Sequence, residues 1–147
     1  MAASFTKDIW YLKHLINLLP LLLIDRGKTS NTVEKLKEFV DTKRSLCLFP
    51  EGIMTHQNTL STFRTGAFMT GHPVQPIILK YKPYIYDTSM NNYITKLFSQ
   101  EKITVTMTIL DIEQPPFDNN KIEMIRHKMA KAGNFALSRV SNKDVVD

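Results

Sequence analysis

Two short apolar runs, each ending abruptly in charged residues and glycine, constrain the fold more than any other feature of the sequence. They are LLLID at Leu21–Asp25 and SLCLF at Ser45–Phe49. Apolar runs of this length are typical of strands that are covered on both faces. The stretch Asn31–Arg44 between them repeats apolar residues at helical spacing, and Asn31 with Glu34 has the spacing of a capping box. The order strand, helix, strand predicts a unit whose two strands run parallel.

Two further strands are predicted downstream of this unit. PIILKY at Pro76–Tyr81 is mainly apolar, and Pro76 should stand at its beginning because proline cannot donate a hydrogen bond to a ladder. ITVTMTI at Ile103–Ile109 alternates apolar residues with threonine, which predicts one buried face and one polar face. Together the strands and their connections predict an α/β domain, with a mostly parallel sheet of about four or five strands flanked by helices.

Two more helices are predicted, a short one around Gly66–Thr70 and a final one that begins near Asn120. Glu123 stands in the capping-box position of the final helix. The apolar stripe of that helix comprises Ile122, Ile125, Met129, Ala132 and Ala136. A stripe of this kind is typical of a helix that packs against a core.

Length, cysteine content and charge exclude several classes of protein. The 147 residues fit one compact domain. The single cysteine, Cys47, rules out an internal disulfide and is expected to pack as a small hydrophobe. The net charge of +5 is spread along the chain, which suits a phosphate or an anionic membrane surface. The sequence contains neither a nucleic-acid-binding motif nor a metal-ligand spacing.

The sequence predicts a separate unit at residues 1–20, ahead of a domain at residues 21–140. Apolar residues recur at helical spacing over Phe5–Leu19, which predicts an amphipathic helix. The mainly apolar run Leu15–Ile24 is too short to span a membrane, and Pro20 interrupts it. A helix of this kind lies on a membrane surface or covers a sheet, and the sequence leaves both alternatives open.

Charged residues directly follow both strands of the first unit. Asp25 and Arg26 end the first strand, and Glu51 and Gly52 come after the second. Because the carboxyl ends of parallel strands meet at one rim of a sheet, we expect Arg26 and Glu51 to share a crevice that can bind a ligand. The alternative is an ion pair at the rim, which contributes little to stability.

Three short blocks resemble the glycerolipid acyltransferases, which transfer a fatty acyl group from acyl-CoA to a glycerophospholipid. LFPEG at Leu48–Gly52 is similar to the family's phenylalanine-proline-glutamate-glycine block. LIDRG at Leu23–Gly27 is similar to an upstream block, and HPVQPIIL at His72–Leu79 to a later one. The string FRTGAFMTGHPVQPIILKY, Phe63–Tyr81, looks most like the lysophosphatidylcholine acyltransferase branch. Since the blocks occur in the family's order, the chain is identified as a member of it.

The resemblance implies site residues and partners. Glu51 and Gly52 would help to hold the acyl acceptor, and Arg26 would contact its phosphate. Arg64 offers a further cation, with Thr65 suited to capping the short helix, unless Arg64 is a solvated surface residue. The acceptor would be a lysophospholipid or glycerol phosphate, with acyl-CoA as co-substrate and no bound cofactor. The implied location is the cytosolic face of a membrane such as the endoplasmic reticulum.

The family's catalytic pair, a histidine followed five places later by an aspartate, is absent from this sequence. The residues five places after the four histidines are Leu19, Ser61, Ile77 and Ala132. His56 is the one candidate for a substitute base, although no orienting acid is evident nearby in the sequence. Ile53 and Met54 also replace a threonine and an arginine or cysteine that follow the glutamate-glycine pair in many members.

The leading hypothesis is therefore a partial acyltransferase domain. It would bind the acceptor, would be inactive alone, and would obtain its catalytic half from another chain or from coding sequence upstream. The alternative is a non-catalytic module that binds phospholipid or docks on an acyltransferase.

Overall fold

The computed structural model describes residues 32–43, 45–53, 56–87 and 89–140. They form helix α1 (Thr32–Lys43), strand β1 (Thr59–Leu60), a 3₁₀ helix (Thr65–Ala67), strand β2 (Ile77–Lys82), helix α2 (Met90–Phe98), strand β3 (Thr104–Ile109), helix α3 (Asn119–Gly133) and strand β4 (Ala136–Leu137). This mixture confirms the predicted α/β class. The predicted helix Phe5–Leu19, the strand Leu21–Asp25, and Arg26 lie outside the described residues, so the division after residue 20 stays a prediction. None of the described helices is long and apolar enough to cross a membrane.

The described strands form two separate pairs. β1 and β4 are parallel, with Thr59 opposite Ala136 and Leu60 opposite Leu137. β2 and β3 are antiparallel over six residue pairs. A mostly parallel sheet of four or five strands is thus not confirmed. The connection between β2 and β3 contains helix α2, but β3 runs antiparallel to β2. A helix in a connection does not by itself fix the direction of the next strand.

The segment Ser45–Phe49 belongs to no described strand, so the prediction of a strand covered on both faces is wrong. Leu46 and Leu48 are partly buried, whereas the residues that alternate with them are exposed. Cys47 is therefore exposed and does not pack as a small hydrophobe. The alternation indicates an extended segment with cover on one side only.

The hydrophobic core lies between α3, β1, β2 and the turn after the 3₁₀ helix. Its most buried members are Leu60, Phe68, Ile78, Ile122, Ile125, Met129 and Ala130. Ile125 is only 1% exposed. The predicted stripe of α3 is confirmed at Ile122, Ile125 and Met129. It is wrong at Ala132, which is exposed, and at Ala136, which lies beyond the helix in β4.

Helix α3 begins slightly earlier than predicted and is capped differently. Asp118 is the N-cap, and its carboxylate accepts a 2.7 Å hydrogen bond from the backbone N–H of Lys121. Glu123 does not close a capping box, because its carboxylate is paired with Arg126. Asn134 ends the helix in the left-handed conformation with φ 51°.

Strand β3 has every residue exposed, so the prediction of one buried face is wrong. Thr108 lies opposite Ile78, which is 3% exposed and belongs to the core. Opposite residues in a ladder share a face, so the threonines of β3 stand on the side of α3 and its apolar residues stand on the other side.

Candidate functional site

The turn at Pro50–Gly52 is held in place by its glutamate. Glu51 is partly buried, and its Oε2 accepts a 2.8 Å hydrogen bond from the backbone N–H of Ser61, the residue that follows β1. Ser61 is completely buried. The carboxylate therefore connects the turn to the end of β1.

Gly52 allows a close approach that no other residue would permit. Its φ of +68° lies in the left-handed region, which glycine adopts without steric cost. A Cβ atom at this position would lie 2.6 Å from Nε of Arg64 and 2.9 Å from its Cδ. The side chain of Arg64 therefore lies against the glycine.

Arg64 joins the turn through its backbone as well as its side chain. Its N–H donates a 2.8 Å hydrogen bond to the carbonyl oxygen of Pro50. Arg64 itself stands at the N-cap of the 3₁₀ helix, with extended backbone and no side-chain capping bond. The prediction that Thr65 is the cap is therefore wrong, because Thr65 is already the first helical residue. Arg64 is exposed, and its side chain lies against Gly52.

His56 lies in an aromatic setting. Its ring is edge-on to Tyr84, with centroids 4.9 Å apart, and Tyr84 stacks on Tyr86. Nδ1 of His56 accepts a 3.4 Å hydrogen bond from the backbone N–H of Asn58. In the neutral ring this places the proton on Nε2, so neither nitrogen has a lone pair free for an acceptor hydroxyl. This geometry does not favour His56 as a substitute base.

Away from His56, His72 forms a contact with an aspartate, Asp41. Nε2 of His72 lies 2.7 Å from Oδ1 of Asp41, and both side chains are partly exposed. The pair joins α1 to the loop before β2. Its members are 31 residues apart, so a search for two residues five places apart does not find it.

A buried arginine that the sequence analysis missed, Arg126, binds the end of β1 next to the turn at Pro50–Gly52. Nη1 of Arg126, which is 6% exposed, donates 3.2 Å hydrogen bonds to the carbonyl oxygens of Leu60 and Ser138. Its Nε donates to both carboxylate oxygens of Glu123 at 2.9 Å. The hydrogen bond from Arg126 lowers the pKa of Glu123. Arg126 thus fixes the strand end that presents the Ser61 N–H to Glu51.

An open apolar hollow of about 470 Å³ begins four residues beyond Arg64. It is lined by Phe68, Met69, Gly71, Pro115, Pro116 and Phe117. The hollow contains no charged side chain, which suits a hydrocarbon more than a polar ligand. Over the described ranges, no group of three histidine, cysteine, aspartate or glutamate side chains is arranged to hold a metal ion.

Of the predicted site residues, the structure brings together Glu51, Gly52 and Arg64. Arg26 lies outside the described residues, so its proximity to Glu51 stays a prediction. One residue in the sequence, Gly52, could have indicated the contact between Arg64 and the turn. Gly52 is the kind of residue at which another group can approach the backbone closely.

Comparison with known proteins identifies relatives of this chain. The sequence model of the family described as Acyltransferase matches residues 1–80. A lysophosphatidylcholine acyltransferase of Drosophila melanogaster is 29% identical over 99% of this chain and 31% of its own length. Lysophospholipid acyltransferase LPEAT1 of Arabidopsis thaliana is 34% identical over 81% of this chain and 33% of its own length. The chain thus spans about a third of the length of these two relatives. No solved structure matches it significantly.

The matched region contains all three sequence blocks, the turn at Pro50–Gly52 and Arg64. It covers more than half of the 147 residues, and the relatives carry the name that the resemblance implied. The family prediction is confirmed, and the chain belongs to the acyltransferase family.

Proposed function

We propose that this chain is the acceptor-binding part of an enzyme that transfers a fatty acyl group from acyl-CoA to a lysophospholipid or glycerol phosphate. Family membership supports the transfer of an acyl group, and the names of the relatives support a lysophospholipid as acceptor. The observation that carries the proposal is the contact of Arg64 with Gly52 beside the turn tied by Glu51.

In this proposal each residue of the turn has a separate role. The guanidinium of Arg64 binds the phosphate of the acceptor, because its planar donors match phosphate oxygens in pairs. Gly52 leaves the space in which that guanidinium lies, and Glu51 positions the turn. Arg26 supplies a second cation to the same phosphate if it shares the crevice. The apolar hollow receives part of the acyl chain of the acceptor.

The reaction needs a general base that this chain does not provide at the family's spacing. The acceptor hydroxyl attacks the thioester carbonyl carbon, its proton passes to the base, and the CoA thiolate leaves as the new ester forms. None of the four histidines is followed five places later by an acid. We therefore expect the base and its orienting acid to come from outside these 147 residues, on another polypeptide or upstream coding sequence.

The first test measures binding of glycerol 3-phosphate by calorimetry. We expect Arg64→Ala to weaken binding about tenfold, because one charge-assisted contact is lost at an exposed site. Lys102→Ala is the control, since Lys102 is also an exposed cation and lies between α2 and β3, away from the turn. Equal binding by both variants would contradict the assignment of Arg64.

The second test measures acyl transfer from acyl-CoA to lysophosphatidylcholine or lysophosphatidate by the purified chain. We expect no measurable turnover, since general-base help is typically worth about 10²- to 10⁴-fold and the orienting acid is absent too. Turnover that survives His56→Ala would refute this account. Turnover that is lost with His56→Ala would make His56 the base in spite of its hydrogen bond from Asn58.

A second candidate function is a non-catalytic module that binds phospholipid or docks on an acyltransferase. The observation in its favour is the missing catalytic pair, together with the change to Ile53 after the glutamate-glycine pair. Phospholipid binding without turnover, both alone and after addition of a chain that carries the catalytic pair, would favour the module.

The site of action that we propose is a membrane surface, because a lysophospholipid acceptor resides there. The net charge of +5 suits anionic lipid. The cytosolic face of an endoplasmic-reticulum-like membrane rests on the family resemblance alone. Sedimentation with vesicles that contain anionic lipid, compared with neutral vesicles, tests the electrostatic part of this proposal.

A further inference from the structure

Three aromatic rings meet where two segments of the chain come together, and we call them the aromatic cluster: His56, Tyr84 and Tyr86. The ring of His56 is edge-on to Tyr84, with centroids 4.9 Å apart and planes inclined at 61°. Tyr84 and Tyr86 are nearly parallel, with centroids 6.3 Å apart and planes inclined at 13°. His56 lies in the loop that follows Gly52, whereas both tyrosines follow β2. The aromatic cluster therefore joins that loop to the segment after β2.

The aromatic cluster is open to solvent. Tyr86 is 64% exposed, His56 is exposed, and Tyr84 is partly buried. Aromatic rings that serve packing alone are buried, because burial supplies most of their contribution to stability. This cluster instead keeps ring surface accessible to a ligand. The face of a tyrosine ring carries negative partial charge, so the ligand class that the surface attracts is a cation.

We propose that the aromatic cluster binds the quaternary ammonium group of a choline head group. A quaternary ammonium has no N–H to donate, so aromatic faces, and not hydrogen-bond acceptors, are its usual partners in proteins. Tyr84 and Tyr86 supply the faces, and the edge contact of His56 positions the ring of Tyr84. This inference rests on the proposed function, and it narrows the acceptor to a lysophospholipid with a choline head group.

The aromatic cluster and the proposed phosphate site belong to the same loop. The loop is closed at its base, since the Ser61 N–H donates a 2.8 Å hydrogen bond to Glu51, and Gly52 at its start lies against Arg64. His56 is four residues after Gly52, so at most about 14 Å separates their Cα atoms. In phosphocholine, two carbons link the ammonium to a phosphate oxygen. A phosphate bound by Arg64 therefore keeps the ammonium group close to this loop.

The adenine base of acyl-CoA is the competing ligand, because planar bases also stack on tyrosine rings. A base in CoA is accompanied by several phosphates, which need cations beside the rings. The charged residue next to Tyr86 in the sequence is Asp87, whose carboxylate is paired with Nζ of Lys96 at 2.8 Å. This pair has no net positive charge to offer to phosphates. The single phosphate of the choline head group has its cation in Arg64, which favours choline.

The test measures binding of two soluble probes, glycerophosphocholine and glycerol 3-phosphate, to the full chain by calorimetry. Tyr84→Ala should weaken binding of glycerophosphocholine about fivefold, the effect of one cation–π contact at a partly exposed site. It should leave binding of glycerol 3-phosphate unchanged, because that probe has no ammonium group. Tyr81→Ala is the matched control, since Tyr81 is 44% exposed but lies in β2. It should leave binding of both probes unchanged.

Arg64→Ala separates this inference from the proposed function. It should weaken binding of both probes, and the proposed function fails if it weakens neither. The present inference is overturned if Tyr84→Ala weakens neither probe, or both equally. Tyr86→Ala decides the matter if Tyr84→Ala fails to fold, since Tyr86 is mostly exposed. It should show the same selective loss, and its failure to do so would overturn the inference.

A neutral isostere of the head group separates charge from shape. In the 3,3-dimethylbutyl ester of glycerophosphate, a carbon atom replaces the choline nitrogen. We expect the chain to bind this ester about fivefold more weakly than glycerophosphocholine, and Tyr84→Ala to abolish the difference. Equal binding of the two esters by the unaltered chain would overturn the proposal. Binding of adenosine 3′,5′-bisphosphate that is lost in Tyr86→Ala would assign the aromatic cluster to CoA and would overturn it as well.

Discussion

The two strand pairs differ in length, and the shorter pair is the better supported. β1–β4 has two residue pairs, whereas β2–β3 has six. In the short pair, Leu60 is 6% exposed and Arg126 donates to the carbonyl oxygens of Leu60 and Ser138. In the long pair, one entire strand is exposed. The difference teaches that ladder length does not measure the stability of a sheet, since side-chain packing and buried hydrogen bonds supply most of it.

The strongest test of this difference removes the arginine. Arg126→Ala removes the buried guanidinium that donates to the carbonyl oxygens of Leu60 and Ser138 and pairs with Glu123, and it should lower the free energy of unfolding by roughly 3 kcal/mol. Thr106→Ala, an exposed change in the long pair, should lower it by less than about 0.5 kcal/mol. Urea unfolding of both variants measures the two values. Equal values would mean that the short pair is not held by Arg126.

Gly52→Ala tests the turn that is attached to the short pair. The left-handed backbone and the 2.6 Å approach of Arg64 Nε to a Cβ both oppose the substitution. We expect a loss of about 1 to 2 kcal/mol in the free energy of unfolding. Glycerol 3-phosphate binding should weaken as well, because Arg64 must move away. Gly71→Ala is the control for backbone strain, since its φ is +76° and a Cβ there meets nothing within 4 Å. It should lose stability without losing binding.

The pH dependence of stability tests the carboxylates that lie near the two strand pairs. The hydrogen bond from Arg126 lowers the pKa of Glu123, and the hydrogen bond from Lys96 lowers the pKa of Asp87, near the helix that joins β2 to β3. A carboxylate with a depressed folded-state pKa stabilises the protein above its unfolded pKa, and that stability is lost as the pH falls through the folded-state value. Glu123→Gln should therefore flatten the decline in stability below about pH 4.5. Thermal unfolding from pH 6 to pH 3 measures it, and an unchanged slope would contradict the linkage.

Local sequence patterns predicted the elements that local chemistry determines. Pro76 precedes β2, and Ile122, Ile125 and Met129 face the core, as proline geometry and helical periodicity require. Helix α2 was missed, although Tyr93, Ile94 and Leu97 have helical spacing and are partly buried.

Long-range contacts could not be read from these patterns. The direction of β3, the pairing of His72 with Asp41 and the position of Arg64 over Gly52 depend on how distant segments pack. The glutamate block predicted a site at Glu51 and Gly52, and that site stays a prediction. The block did not predict that one carboxylate oxygen of Glu51 would accept a hydrogen bond from the Ser61 N–H. That contact depends on the path of the chain after β1.

Ser61 gives the smallest expected effect in the region of the short pair. Its N–H serves Glu51, whereas its Oγ is buried and has no hydrogen-bond partner among the described residues. Ser61→Ala keeps the backbone donor and removes an unsatisfied hydroxyl, so we expect the free energy of unfolding to rise by about 0.5 to 1 kcal/mol. Thr70→Ala provides a comparison at a second buried hydroxyl residue, since Thr70 is 7% exposed whereas Ser61 is fully buried. If Ser61→Ala instead destabilises the chain by a similar amount, its hydroxyl has a partner in the folded protein, and Ser61 then belongs to the hydrogen-bonded support of the Glu51 turn through its side chain as well as its backbone.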